Sequence, residues 1–290
     1  MQALTLDLAL TDFLTSLRAR NVSVLTAQAY QTDIRQFILW LQETTVLDLQ
    51  VGTVSKTDII EYLSYLADLG RSGITRARKL ASIRELFKYL VSLELIPTSP
   101  ASSVAMPKKE RRTQTYLRPE EYAKLLSTAG SNPRDFAILQ LFLQTGIRVS
   151  ELVHLTFTDV DLINKMIKVS GKGSKERTIP LEKKAILALK NYLSVRQQSL
   201  NQQFFLNYTG MGLSRRGAEK IIEKYRKLSG ITKRFSCHSL RHTFGSYKAE
   251  QGVSPFQLIE WMGHSSISVT QLYVHMGKES NRRAMEQTSL

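Results

Sequence analysis

The chain has 290 residues, of which 42% are hydrophobic, so it is long enough to bury one large core or two ordinary ones. Its formal net charge is +15 at pH 7, and no apolar run approaches the ~18 residues that a membrane-spanning helix needs. Its one cysteine, Cys237, excludes an internal disulfide framework and a metal site made of several cysteines.

The positive charge is unevenly distributed. Residues 1–100 carry ten Lys/Arg and ten Asp/Glu, residues 101–120 five and two, and residues 121–290 carry 25 and 13. A positive field on one part of a chain favours a polyanion, so we expect a nucleic-acid partner; a merely basic protein is the alternative. The first residues include Asp7 and Asp12 and lack a basic segment, so they do not resemble a signal peptide, and we expect a cytoplasmic, nucleoid-associated protein without a membrane partner.

Three amphipathic helices are predicted in the first hundred residues. Ser23 is placed to cap the first and Gly70 to end the second. Apolar residues recur at helical spacing in each. These stripes are Tyr30, Ile34, Phe37, Ile38 and Leu41; Ile59, Tyr62, Leu63, Leu66 and Leu69; and Leu80, Ile83, Phe87 and Leu90.

The third helix is strongly basic, with Glu85 its only acidic residue between 71 and 93. This composition favours a surface that faces phosphates, although a solvated helix face is the alternative. The candidate DNA contacts are Arg76, Arg78, Lys79, Arg84 and Lys88.

A basic linker is predicted at 97–118, between a helical domain at 1–96 and a second domain at 119–275. The segment contains prolines and small polar residues and shows no apolar period. Its cations would lie along a phosphate backbone. They are Lys108, Lys109, Arg111 and Arg112.

The second domain is predicted to be mainly helical with one small antiparallel hairpin. Pro119 is placed as a first helical residue, and Gly146 ends an apolar helix over 134–146. Segments 165–169 and 177–181 predict paired strands joined by the turn "SGKGSKE". Further helices are expected at 147–155, 182–197, 214–228, 238–250, 254–262 and 266–275, and the tail 276–290 shows no core of its own.

Four of the five histidines fall between positions 238 and 275, close in sequence to Arg241 and Tyr273. Cleaving a phosphodiester without a metal requires fixed cations for the non-bridging oxygens, a proton donor for the leaving oxygen and a nucleophile. Arg241 shares a helix face with His238 three residues earlier, and Arg148 follows a helix end. Taken singly, Arg148 could be a surface ion pair and Tyr273 a packing residue.

Three other kinds of site are disfavoured. His238 and His242 have zinc-like spacing, but Ser239 stands where a metalloprotease needs glutamate. Asp159 and Asp161 lie in a polar turn, which indicates solvated or structural carboxylates rather than a magnesium pair. Lys172 lacks the strand–loop–helix setting of a Walker loop, which argues against nucleotide binding.

Four motifs occur in order: "TGIRVSEL" (145–152), "GKGSKERTIP" (171–180), "HSLRHTF" (238–244) and "GHSSISVTQLY" (263–273). Together they closely resemble the tyrosine recombinases of the phage integrase family, in particular the Xer-type bacterial members. The segments "TAQAYQTDIRQFILWL" (26–41) and "RKLASIRELFKYL" (78–90) resemble the core-binding domain of that family. The implied fold is mainly α with a small antiparallel sheet in the catalytic domain, in a two-domain C-shaped clamp around DNA.

This resemblance implies a role for each matching residue. Arg148 and Arg241 would hold the scissile phosphate, and Tyr273 would be the nucleophile. Lys172 would be the general acid, with Lys175 as the alternative. His238 would assist proton removal and His264 would donate to a phosphate oxygen. Glu151 and His242 would support the site without reacting, and no metal or cofactor is implied.

The same resemblance implies strand cleavage and rejoining through a 3′-phosphotyrosyl intermediate and a Holliday junction. The partners would be double-stranded DNA with an inverted-repeat site and three further protomers, either identical or including a second recombinase, with accessory proteins possible. The tail would dock on a neighbouring protomer. Arg215 and Arg216 begin a helix that resembles the one in the major groove, and they could read bases or hold phosphate.

Two other functions are compatible with the same helices and charge. One is a catalytically silent DNA-binding accessory protein, which would not need the six candidate catalytic residues. The other is a type IB topoisomerase-like enzyme, which the recombinase-like N-terminal half disfavours. The biological task stays open between dimer or cointegrate resolution and integration or excision of a mobile element.

Overall fold

In this computed structural model, residues 4–44, 49–108, 110, 115–171 and 176–263 are described. The chain divides into two compact units, Met1–Arg112 and Thr113–Leu290. The described parts are mostly helical, with one three-stranded antiparallel sheet in the second unit. The expectation of a mainly α fold with a small sheet is confirmed.

The described residues of the first unit form four helices: α1 (Leu6–Ala19), α2 (Val24–Thr44), α3 (Lys56–Asp68) and α4 (Gly73–Ser92). Side-chain caps start them, since Ser23 accepts from Thr26 N at 3.2 Å and Ser55 forms a capping box with Asp58. The predicted apolar stripes of α2, α3 and α4 form one core together with α1, except for Leu69, which follows the end of α3 and is exposed. The cap at Ser23 and the left-handed Gly70, at φ 69°, agree with the sequence prediction.

A buried ion cluster joins α2 to α4. Asp33 is 0% exposed, and it accepts hydrogen bonds from Lys79 Nζ at 3.2 Å, from Ser82 Oγ at 2.9 Å and from Arg78. Lys79 is itself 5% exposed and also donates to Gln36. A buried lysine is tolerated here because the carboxylate of Asp33 compensates its charge.

The placement of Lys79 corrects the surface role predicted for it, because it is an internal partner of Asp33. Arg84 is also used internally, since its guanidinium donates to the carbonyls of Ala101, at 3.1 Å, and Val104. Arg76 is half-buried. Arg78 and Lys88 keep the exposure that a phosphate contact would need.

The beginning of the predicted linker packs against the first unit. Ala101 and Val104 are buried in its core, although the segment carries no apolar period. The two carbonyls that bind Arg84 belong to these same residues, so the ordered part of the first unit extends past 96. Lys108 is exposed, whereas Lys109, Arg111 and Arg112 lie outside the described residues.

The second unit is built around α6 (Pro133–Thr145), whose central apolar residues from Ala137 to Phe142 are fully buried. It packs against four helices: α5 (Pro119–Ala129), α8 (Lys183–Val195), α9 (Arg215–Leu228) and α10 (Cys237–Glu250). Pro119 begins α5 and Gly146 ends α6 in the left-handed conformation at φ 60°, both as predicted. A Cβ at Gly146 would lie 2.4 Å from the Phe244 ring, so only glycine fits.

The remaining elements among the described residues of this unit are short. Helix α7 covers Val149–His154, a 3₁₀ turn covers Phe157–Asp159, and α11 covers Pro255–Met262. The sheet has the order β1 (Val160–Asp161), β2 (Met166–Ser170) and β3 (Glu176–Pro180). The ends of the two predicted hairpin strands are confirmed to within one residue. Strand β1 was not predicted, and the predicted helix at 266–275 lies outside the described residues.

The two aspartates disfavoured as a magnesium pair serve the turns around β1. Asp159 accepts from Thr156 N at 2.8 Å. Asp161 accepts from the backbone N–H groups of Ile163 and Asn164 at 3.0 and 2.8 Å. Both carboxylates are structural, as predicted.

Candidate active site

A cavity of about 590 Å³ in the second unit is lined by Arg148, His238 and Arg241. Arg148 lies between α6 and α7, and the other two lie on one face of α10. The two sequence motifs, separated by about ninety positions, therefore meet in space. Residues of α9 complete the wall, among them Arg215 and Glu219.

Arg148 is held at the start of α7 by hydrogen bonds that it donates to Glu151. Its backbone N–H donates to Glu151 Oε2 at 2.7 Å, and its Nη1 donates to Oε1 at 2.8 Å. Its Nη2 donates to the carbonyl of Gly263 at 2.6 Å. A guanidinium has five N–H donors, so three are not engaged by these contacts. The side chain is 36% exposed, which leaves it accessible from the cavity.

Arg241 is fixed more deeply, at 2% exposure. Its Nη1 donates to the carbonyl of Gly146 at 2.7 Å, and its Nη2 donates to that of Met262 at 2.5 Å. Both acceptors are backbone groups at helix ends, where carbonyls lack an intrahelical partner. A cation held in this way keeps its charge and its orientation.

His238 and His242 lie one turn apart on α10, with ring centroids 4.4 Å apart and planes at 85°. Burial lowers the pKa of His238, and the charges of Arg241 and Arg148 lower it further. Burial, His238 and Arg241 lower the pKa of His242 to about 4. Both imidazoles are therefore neutral near pH 7, and a neutral imidazole can accept a proton.

The low pKa of His242 makes stability depend on pH. An unfolded histidine titrates near pH ~6.5, so between that value and about 4 the unfolded chain binds the additional proton. Stability contributed by neutral His242 is thus lost as the pH falls through this window. We expect Tm to fall less between pH 7 and pH 5 in His242→Gln than in the unsubstituted protein, measured by circular dichroism.

His154 supplies the control for this measurement, because it is exposed on α7. The Tm loss between pH 7 and pH 5 should be smaller in His242→Gln than in this exposed-site variant, His154→Gln. Identical Tm losses in His242→Gln and the unsubstituted protein would contradict the assignment of this window to His242.

Arg177 is a site residue absent from the sequence-based predictions, although it lies inside the second motif. Its Nη1 and Nη2 donate to the two oxygens of Glu151 at 2.7 and 2.8 Å, and its Nε donates to the carbonyl of Trp261 at 2.7 Å. The sequence did contain an indication of this role, because in a strand Arg177 falls on the same face as Ile179, which is buried. An arginine on the core face of a strand needs a buried partner.

Glu151 links Arg177 to Arg148. Burial raises the pKa of its carboxyl, but hydrogen bonds from Arg177 and from the backbone and side chain of Arg148 outweigh burial and lower the pKa overall. The supporting position predicted for Glu151 thus has a defined geometry. It is a buried carboxylate shared by two guanidinium groups.

Several predicted site residues lie outside the described part of the chain. They are Lys172, Lys175, His264 and Tyr273. Gly263, the residue before His264, ends α11 in the left-handed conformation at φ 61°.

At the start of α9, Arg215 pairs with Glu219 at 3.2 Å and Arg216 is exposed. Cys237 is buried, and burial raises the pKa of its thiol to about 11, so it is a packing residue with little thiolate. Within the described ranges, no group of three His, Cys, Asp or Glu side chains could hold a metal ion. No helix in the same ranges is long and apolar enough to cross a membrane.

Comparison with known proteins identifies the family. Residues 115–280 match the phage integrase family and residues 10–93 match its N-terminal SAM-like domain. Tyrosine recombinase XerD of Listeria monocytogenes is 34% identical, over 89% of this chain and 90% of that protein. Tyrosine recombinase XerC of Thermodesulfovibrio yellowstonii is 36% identical, over 92% of this chain and 91% of that protein.

Solved structures agree with this assignment. A lambda integrase tetramer bound to a Holliday junction covers 94% of this chain at a TM-score of 0.78 and 19% identity, with 78% of the integrase chain covered. At that identity the likeness concerns the fold, and it extends over both units. The chain belongs to the phage integrase family of tyrosine recombinases.

Proposed function

We propose that this chain binds double-stranded DNA at an inverted-repeat site and exchanges strands through a covalent bond to Tyr273. The observation that carries the proposal is the cavity in which Arg148, Arg241 and a neutral His238 meet. Two oriented guanidinium groups can bind the non-bridging oxygens of one phosphate, and the imidazole beside them can accept a proton.

In the proposed reaction the phenolic oxygen of Tyr273 attacks the phosphorus while the bond to the 5′ oxygen breaks. The phenolic proton passes to His238, and Lys172 gives a proton to the departing 5′ oxygen. Arg148, Arg241 and His264 bind the non-bridging oxygens, where charge accumulates in the transition state. Rejoining is the reverse transfer from the phosphotyrosine to a 5′ hydroxyl. One ester replaces another at each step, so no ATP is consumed.

Contacts beyond the site would come from cations on both units. On the first unit, Arg78, Lys88 and Lys108 are exposed. On the second unit, Arg215 and Arg216 begin α9, where they can contact a groove or a phosphate. We propose that the core-binding domain and the catalytic domain both contact the duplex, with the basic segment up to residue 118 along its phosphate backbone.

We further propose that four protomers, identical or with a second recombinase, act on two paired sites. The inverted symmetry of the site would mirror that of the protein. The lambda integrase relative is a tetramer on a Holliday junction. The tail 276–290 would dock on a neighbouring protomer, and the protein would act in the cytoplasm at the nucleoid.

Covalent capture tests this function and requires no defined target sequence. The protein is incubated in EDTA with fragmented DNA from its source, the mixture is denatured, and DNA that stays attached to protein is sequenced. We expect a denaturation-resistant adduct whose DNA shares one inverted repeat with a cut beside it. Adducts that require magnesium would contradict the proposal, as would a complete lack of adducts.

A further inference from the structure

Three consecutive backbone carbonyls at the end of α11 each bind a different arginine. Trp261 O accepts from Arg177 Nε at 2.7 Å, Met262 O from Arg241 Nη2 at 2.5 Å, and Gly263 O from Arg148 Nη2 at 2.6 Å. The last carbonyls of a helix have no intrahelical partner and carry the negative end of its dipole. Two of these arginines line the cavity, whereas Arg177 does not.

We propose that Arg177 is a positioning residue for strand cleavage, and that it acts through Glu151 on Arg148. This inference rests on the proposed function, in which Arg148 binds the scissile phosphate. The Arg177 side chain is 9% exposed and buried behind Glu151, so it does not contact DNA itself.

The two hydrogen bonds from the Arg177 guanidinium limit how many side-chain hydrogen bonds Glu151 can accept from Arg148. Arg177 occupies both carboxylate oxygens, with Nη1 on Oε1 and Nη2 on Oε2. Arg148 then makes a single side-chain bond to Glu151, to Oε1 at 2.8 Å, and one more to the carbonyl of Gly263, so three of its five guanidinium N–H groups are not engaged by these contacts. Without Arg177, Glu151 would be free to pair with Arg148 in a bidentate manner.

The net charge of this cluster also indicates that Arg177 supports phosphate binding by Arg148. Arg148, Arg177 and the ionised Glu151 together carry one net positive charge, and removing Arg177 would leave a neutral pair. A neutral pair binds an anionic phosphate less strongly than a cationic cluster does, above all in a partly buried cavity.

Backbone geometry fixes Arg177 in this place. Arg177 pairs with Val169 across the β2–β3 hairpin, so its position depends on the sheet register. Its guanidinium lies under Gly263, where an added Cβ would be 3.0 Å from Nη1 and 3.1 Å from Cζ. The left-handed Gly263, at φ 61°, therefore lets the chain pass over Arg177 immediately before His264.

The test measures single-turnover adduct formation on a nicked substrate carrying the captured site. We expect Arg177→Gln to slow adduct formation about 100-fold and Arg177→Lys, which keeps the charge but loses the fork, about 10-fold, because small misplacements of a catalytic group have effects of this order. DNA affinity should change less than about threefold by the same reasoning, since Arg177 does not contact DNA.

A substrate with a methylphosphonate at the scissile position distinguishes positioning from loss of structure. Its scissile linkage carries no charge, so it depends less on a correctly placed Arg148. We expect the defect of Arg177→Gln to shrink to less than about tenfold on this substrate. An equal defect on both substrates would overturn the inference, as would an unimpaired rate on native DNA.

Arg134 provides a matched control in the same unit. Like Arg177 it binds a buried carboxylate and a carbonyl, namely Asp135 at 2.8 Å and Leu206 O at 3.1 Å, but it does not line the cavity. Arg134→Gln should lower Tm without a substrate-specific loss of rate, and a loss equal to that of Arg177→Gln would overturn the inference. No Tyr273-dependent adduct from the unsubstituted protein would instead overturn the proposed function.

Discussion

Replacing Tyr273 with phenylalanine is expected to abolish the covalent protein–DNA adduct while DNA binding is retained. Phenylalanine preserves the ring but lacks the oxygen that would bond to phosphorus, so no phosphotyrosyl ester can form. The loss should therefore be complete rather than partial. The measurement combines a nicked suicide substrate, denaturing electrophoresis in EDTA and a binding titration at fixed salt, because DNA affinity depends on salt.

Tyr208 supplies the control, since it is 91% exposed in the second unit. Tyr208→Phe should form the adduct at the unsubstituted rate. Peptide mapping of the adduct should recover Tyr273. An adduct that persists in Tyr273→Phe, attached to another tyrosine, would refute the assignment of the nucleophile while leaving the enzyme class intact.

Arg148→Ala is expected to slow cleavage about 10³-fold, which is the loss typical when one preorganised donor to a developing charge is removed. Affinity for DNA should fall much less, by about tenfold or less, because many other phosphate contacts remain. The large loss of cleavage is expected because hydrogen bonds to Glu151 and to the Gly263 carbonyl hold the Arg148 guanidinium in one orientation. Both quantities can be measured on one nicked substrate, by single-turnover cleavage and by equilibrium binding.

Arg148→Lys refines this prediction. Lysine keeps the charge but cannot bond Glu151 and the Gly263 carbonyl while also presenting a planar fork, so an intermediate rate is expected. Equal losses of cleavage and binding in Arg148→Ala would instead identify Arg148 as a docking residue.

Local signals allowed much of the fold to be predicted. Pro119 begins α5, and Gly146 ends α6 in the left-handed conformation that glycine adopts readily. The hairpin strands fell within one residue of their observed ends. These features depend on residues near one another in sequence, which is why composition and spacing were enough.

The features that could not be predicted from the sequence depend on contacts between residues far apart in the chain. Lys79 looked like part of a basic surface, but its partner Asp33 is 46 residues away on another helix. Ala101 and Val104 lie in a segment without an apolar period, and tertiary contacts nevertheless bury them. The function of Arg177 depends on the register of β3 against β2 and on the position of α11, and neither can be read from a single strand.

The three carbonyls at 261–263 affect how this enzyme can change during evolution. Backbone acceptors do not depend on side-chain identity, so Trp261 and Met262 can be exchanged for other apolar residues without removing an arginine contact. An insertion or deletion within α11 is different, because each residue turns a helix by about 100° and would carry all three carbonyls away from their donors together. We therefore expect homologous enzymes to drift in the composition of this helix while its length stays constant.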